Sequence, residues 1–338
     1  MTDYTENITP TQDPAASMRH AYRRCGLAFL TTMLFLALFI PFLFYFLRIS
    51  EANGIPALTF FKKYLFFFNE LLTALALFAG ALFLYRVPVS PPVRKRTSFK
   101  LFVLLFTVSI AFATVGSYVG EFWASLWYSV SGISTQNALN TAMTYTSLWQ
   151  TILCAGIITP IIEEYFFRKL LIDRLRGYSE TLAILTSAIF FAFFHQNIYQ
   201  FFYTLAFGLV LAYLYVRTGS YLAVTLLHMA FNFFLGIFPL LFSEAISLFT
   251  AVIETNPSTL QIVQYFSLTF LSFLYTAAYI AANILGVIFF FIYAKKIRIC
   301  KSECDLSPET KLRATLLNFG MIAAISISLL TLAQSLLS

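Results

Sequence analysis

The chain has 338 residues, 59% of them hydrophobic and 11% charged, and its 22 Lys and Arg outweigh 15 Asp and Glu to leave a formal net charge of +7. A soluble domain typically carries about 25% charged residues, whereas a mean hydropathy of +0.80 with 40 Phe and 19 Tyr leaves too little polar surface to face water. That excludes a secreted disulfide scaffold, a nucleic-acid-binding domain and a disordered chain, and points to an all-α, multi-pass membrane protein whose principal partner is the lipid bilayer.

Residues 1–24 read as a polar tail with no apolar signal region, ahead of a single transmembrane domain over 25–338. Apolar runs of roughly the 20 residues needed to cross hydrocarbon fall at 25–47, 64–86, 99–118, 147–171, 181–197, 200–217, 220–242, 264–294 and 313–336, which predicts about nine spans. The three between 181 and 242 are spaced tightly enough for one to be re-entrant. The stretch 119–146 is less apolar and rich in Trp, Tyr and Ser, and reads as an interfacial segment because amphipathic rings settle at headgroup level. Arg19, Arg23 and Arg24 precede the first span, and alternate loops collect base while 119–146 and 243–263 hold none. Cytoplasmic loops are enriched in Lys and Arg, so the N-terminus is expected in the cytoplasm and the membrane to be the plasma membrane.

The cysteines carry little. Cys25 and Cys154 lie in apolar runs and read as small buried hydrophobes. Cys300 and Cys304 form a C-x3-C pair without a further soft ligand, on the basic side, where a disulfide is not expected.

Charge within a span is costly, about 2.5–3.5 kcal/mol per residue on insertion scales. The fourth span nevertheless reads GIITPIIEEYFFRKLL. Glu164 and Arg168 are four residues apart with the acid N-terminal, the favourable order for an ion pair. Glu163 points elsewhere on the helix and needs a partner from another one. Pro160 cannot donate to the carbonyl of Gly156, so a kink is expected just before the acids. His195 ends the run SAIFFAFFHQN, and His228 shares a helix face with Asn232 in TLLHMAFN. Isolated polar groups on three separate apolar segments are best satisfied by meeting. Taken singly, each is as readily an interhelical hydrogen-bonding residue. Asn69 and Glu70 in the second span match no pattern and read as structural, Glu70 pairing locally near Lys63.

Glu163-Glu164-x-x-x-Arg168, Phe191-x-x-x-His195 and His228-x-x-x-Asn232, in that order, resemble the CAAX prenyl protease and bacteriocin-processing (CPBP, or Abi) family, intramembrane endopeptidases of the type II CAAX prenyl endopeptidase class. The resemblance covers roughly 147–240. It implies that Glu163 activates a water with help from His195, that His228 and Asn232 donate to the oxyanion, and that Glu164, Arg168 and Phe191 support the geometry. It also implies a peptide or lipidated protein substrate. An unpaired carboxylate suits a general base, and two donors on one helix face suit an oxyanion site. Depth along the spans places these groups near mid-membrane, in a water-filled cavity, unless the fifth span begins deeper than 181.

A zinc site is the alternative chemistry, with Glu163, His195 and His228 as ligands. Against it, the histidines lie on different helices, unlike an H-E-x-x-H pair, Asn232 is a poor zinc ligand, and no acid is free to orient the histidines if Glu164 is committed to Arg168. A metal-free, glutamate-activated water is therefore expected, with no cofactor. Two other readings remain: a secondary transporter using Glu163 and the histidines as a proton relay, which internal symmetry would reveal, and a catalytically silent immunity or scaffold member of the same family.

Overall fold

The computed structural model describes residues 13–52, 64–92, 94–135, 146–253, 258–297 and 306–337; Cys300, Cys304, the first twelve residues and 136–145 of the expected interfacial segment lie outside them. The described residues form helices and no strand: α1 (Pro14–Ala52), α2 (Leu65–Ala81), α3 (Phe99–Ser131), α4 (148–175), α5 (Glu180–Phe194), α6 (Ile198–Thr218), α7 (221–253), α8 (Thr259–Tyr293), α9 (Pro308–Leu316) and α10 (Phe319–Gln334). Short polar residues just ahead of apolar runs start them. Ser98, Ser179, Asn197, Ser220 and Asn318 each accept a hydrogen bond from a first-turn N–H, satisfying a donor the helix itself cannot. Gly132 and Gly219 end α3 and α6 with φ of 70° and 60°, the left-handed cap that suits glycine.

Six of these helices are long and apolar enough to cross a membrane, or seven if α9 and α10, bent by 64° at their junction, are taken as one. They make the chain an integral membrane protein. The sequence reading expected about nine, and the difference lies in α4 and α5. Helix α4 is continuous over 148–175, but Glu163, Glu164, Arg168 and Lys169 keep it below the apolarity of a plain span. Helix α5 has 15 residues, because Ser179 caps its start and Asn197 already caps α6. Two further boundaries move. Helix α3 runs on to Ser131, through the first part of the stretch read as interfacial. Helix α1 begins at Pro14, inside the stretch read as a polar tail, and fully buries Met18 and Tyr22.

Small residues set the closest approaches, as expected where helices cannot gain by leaving lipid. A Cβ on Gly116 of α3 would meet the Tyr203 backbone of α6 at 2.5 Å, and one on Gly286 of α8 would meet the Thr107 carbonyl of α3 at 2.1 Å. Helix α1 packs on α2 and α10. Phe78, Phe266 and Phe291 stay exposed on the outside, where lipid takes the place of water. Helices α4, α5, α6 and α7 enclose the polar residues singled out above.

Candidate active site

Helix α4 is not uniformly α-helical. It passes from Leu148–Leu153 into a wider π turn, Cys154–Ile158, then α again over Thr159–Glu164, and π over Tyr165–Ile172. In the first π turn the Thr159 N–H bonds the Cys154 carbonyl, five residues back. The next donor in that register is the nitrogen of Pro160, which has no hydrogen. The carbonyl left free is therefore Ala155's, not the Gly156 carbonyl that an α-helical register predicts. The Asn232 amide of α7 donates to it at 2.8 Å. A π turn of α7, Phe233–Ile237, lies opposite, and its Phe233 and Ile237 side chains pack where a Cβ on Gly156 would sit.

One turn further along α4, two carboxylates and an imidazole meet. Glu164 is fully buried; its Oε1 lies 2.9 Å from His228 Nδ1 and its Oε2 lies 3.0 Å from Arg168 Nε. The Arg168 contact is ionic and off the line of a good hydrogen bond. The guanidinium, itself fully buried, also donates weakly to the Gly208 carbonyl at 3.5 Å and lies 4.5 Å above the Phe191 ring. Because a carboxylate only accepts, Nδ1 of His228 carries the proton in this arrangement. Its Nε2 is left toward Glu163, whose Oε2 is 3.9 Å away. The sequence reading committed Glu164 to Arg168 and found no acid to orient a histidine; in the structure Glu164 serves both.

His195 is placed by the end of α5. Its backbone N–H turns to the Ala192 carbonyl, so the Phe191 carbonyl lacks an intrahelical partner, as the last carbonyls of any helix do. The His195 ring fills the gap, with Nδ1 2.8 Å from that oxygen. The Phe-x-x-x-His spacing is thus a side chain closing its own helix end, leaving Nε2 for other work. Gln196 follows with φ of 49°, a region uncommon for a non-glycine residue, and Asn197 opens α6 immediately. Phe191 packs edge-on against both His195 and His228, with centroids 4.9 and 5.8 Å away.

Glu163, His195, His228 and Asn232 all line one cavity of about 960 Å³. Arg168 and Glu164 stand behind its wall. Among the other polar residues of its lining, Glu70 and Tyr203 stand out. Glu70 of α2, read from the sequence as a local structural residue, accepts a hydrogen bond from Thr159 Oγ1 at 2.6 Å and so ties α2 to the turn before Glu163. Its signal was visible, a carboxylate inside a span; its partner, 89 residues away, was not. The Tyr203 hydroxyl accepts from Gln200 Nε2 at 2.9 Å, leaving its own proton for a further acceptor. Nothing in the sequence sets Tyr203 apart from the other tyrosines.

Two imidazoles with engaged Nδ1 atoms and a carboxylate are suitable zinc donors by chemistry. Their placement is not: among the described residues no group of three His, Cys, Asp or Glu side chains converges to hold a metal ion.

Residues 145–234 match the family model for Rce1-like type II CAAX prenyl endopeptidases. The matched segment, a little over a quarter of the chain, runs from just before α4 to the π turn of α7 and contains every residue of the cavity cluster except Glu70. The family is one of membrane-embedded proteases. No curated protein matches the chain, and no solved structure does.

Proposed function

We propose that the chain is an intramembrane endopeptidase of the plasma membrane, hydrolysing a peptide bond of a membrane-associated or lipidated substrate with a glutamate-activated water and no metal. The observation that supports this most is the 3.9 Å gap between Glu163 Oε2 and His228 Nε2 inside the cavity. A water about 2.8 Å from each atom spans such a gap. Glu164 holds the His228 tautomer that makes Nε2 an acceptor. As the water oxygen bonds to the substrate carbonyl carbon, Glu163 takes its proton. When the C–N bond breaks, the same carboxyl returns that proton to the leaving amine. His195 Nε2 is free to steady the water or the substrate.

This divides the roles differently from the family resemblance. Held through Nδ1 by Glu164, the singly protonated imidazole of His228 accepts at Nε2 and does not donate to an oxyanion. The donors left for that oxygen are the second N–H of Asn232 and the Tyr203 hydroxyl.

Glu163→Gln tests the reading. The change is nearly isosteric and removes an acid from a buried site, so the variant is expected to insert and accumulate normally. Membranes holding it are expected to lack the cleaved peptides found with the intact chain, and the purified variant to show no turnover in liposomes. Comparable turnover overturns the general-base assignment.

A further inference from the structure

We propose that a basic recess at the end of the bundle, separate from the cavity that holds Glu163, binds the phosphate of an anionic glycerophospholipid whose acyl chains lie along the outside of α4 and α7. Such binding is independent of whether the chain cleaves peptides.

Three cations come from one short stretch. Arg94, Lys95 and Arg96, on the approach to α3, line a recess of about 490 Å³ together with Lys169 of α4 and with Tyr221 and Leu222 at the start of α7. The recess shares no lining residue with the larger cavity, and no acid lines it. Loop bases of a membrane protein are ordinarily a solvated rim, but this stretch is fixed to the helices around it. The Ser90 N–H donates to the Asp173 carbonyl at 2.6 Å, Arg176 Nη1 to the Pro91 carbonyl at 3.0 Å, and the Lys95 N–H to the Thr218 carbonyl at 2.7 Å. Lys169 has an acid partner, Asp173 at 2.8 Å. Among the described residues no carboxylate pairs with Arg94, Lys95 or Arg96. Like charges held on one concave wall without a counter-ion favour an anion that meets several of them at once.

The start of α7 adds donors of the right kind. Ser220 accepts from the Ala223 N–H, and the Val224 N–H bonds the Ser220 carbonyl at 3.3 Å. The N–H groups of Tyr221 and Leu222 are left without a helical partner, as at any helix start, and phosphate oxygens are well-suited acceptors there.

Position selects the source of the phosphate. Helices α3, α6 and α7 are each long and apolar enough to cross a membrane, and the recess sits where α6 ends at Thr218, where α7 begins at Tyr221, and just ahead of α3. That is headgroup level. One wall then runs on into apolar surface. Ile161 and Tyr165 lead away from Lys169 in four-residue steps along α4 and are exposed, as are Leu222 and Leu226 on α7. Tyr221 joins the two helices: its hydroxyl donates to the Ile161 carbonyl at 2.6 Å, and its ring packs edge-on against Tyr165 with centroids 6.1 Å apart. Acyl chains can use that surface and a free phosphate ion cannot. A choline headgroup would bring one more cation beside the three already there, so the headgroup that fits carries net negative charge.

Native mass spectrometry of the purified full-length chain, which counts bound lipids, tests this. The first adduct is expected at lower concentration with dioleoyl phosphatidylglycerol than with dioleoyl phosphatidylcholine. Arg94→Gln with Arg96→Gln is expected to weaken that adduct by about tenfold or more. Lys95→Gln with Arg96→Gln removes the same charge from the same wall, and decides the matter where the first pair fails to accumulate. Arg19→Gln with Arg23→Gln, which removes two exposed bases outside the recess, is expected to leave the adduct unchanged. Glycerol 3-phosphate or inorganic phosphate in large excess is expected not to displace the lipid. Equal binding by the intact chain and the recess variants, equal loss in the Arg19 and Arg23 pair, or equal binding of phosphatidylcholine overturns the site. Displacement by glycerol 3-phosphate or inorganic phosphate overturns the lipid as its occupant.

Discussion

His228 Nδ1 stands 2.9 Å from Glu164 Oε1, while the other oxygen of the same carboxylate stands 3.0 Å from Arg168. The second acid of the Glu-Glu pair is therefore the joint between a buried cation on its own helix and the imidazole of another. It orients the histidine through one oxygen while Arg168 holds the other.

Glu164 and Arg168 are expected to be strongly coupled. Removing one partner of a buried ion pair typically costs about 3–5 kcal/mol, because the other charge is left uncompensated. Glu164→Gln with Arg168→Met is expected to unfold at a higher temperature than either single variant, measured as a double-mutant cycle. Additive effects reject the coupling. The double variant is still expected to lose activity, since His228 loses the acid that fixes its tautomer.

Asn232 and Pro160 are expected to be linked through the Ala155 carbonyl. Asn232→Ala takes the side-chain donor from that half-buried acceptor, a loss of about 0.5–1.5 kcal/mol. Pro160→Ala restores a backbone N–H in the right register, and is expected to recover part of the stability lost in Asn232→Ala. No recovery in the double variant, read by thermal unfolding, shows that the carbonyl finds its donor elsewhere.

Tyr203→Phe removes one hydroxyl and little volume. Loss of an oxyanion donor costs about 10²–10³ in kcat, and the variant is expected to show a loss of that order with little change in KM or unfolding temperature. Unchanged kcat assigns the oxyanion to Asn232 alone.

Activity is expected to survive prolonged dialysis against a strong chelator, with well under one zinc per chain in the active protein by elemental analysis. Stoichiometric zinc whose removal abolishes activity and whose return restores it overturns the metal-free mechanism, and places the ion among Glu163, His195 and His228.

The acids of α4 and the two histidines were legible because charge and imidazole inside apolar runs have few innocent explanations. Their partners were less so. The Glu164–Arg168 pair follows from four-residue spacing, but the reach of Glu164 to His228 spans 64 residues and depends on how α7 crosses α4. Glu70 has its partner in Thr159, visible only once α2 packs beside α4, while the expected local pairing with Lys63 lies outside the described residues. The span count came out high because hydropathy alone does not show that Ser179 and Asn197 cap successive helices and shorten α5 between them. None of the three π segments had a signature beyond Pro160, which announced an interruption without giving its register.

Those π turns fix the angular phase of everything after them. Each residue of an α-helix turns the chain by about 100° and a π turn takes up about one residue more per turn, so straightening 154–158 into an α-helix with all its residues kept would swing Glu163 and Glu164 by roughly that angle relative to the entry of α4. Both carboxylates would leave the wall they now share with His228, although no functional residue had been changed. The angular placement of both acids is for this reason set by the wide register of 154–158, a stretch that itself carries none of the acids or imidazoles of the site.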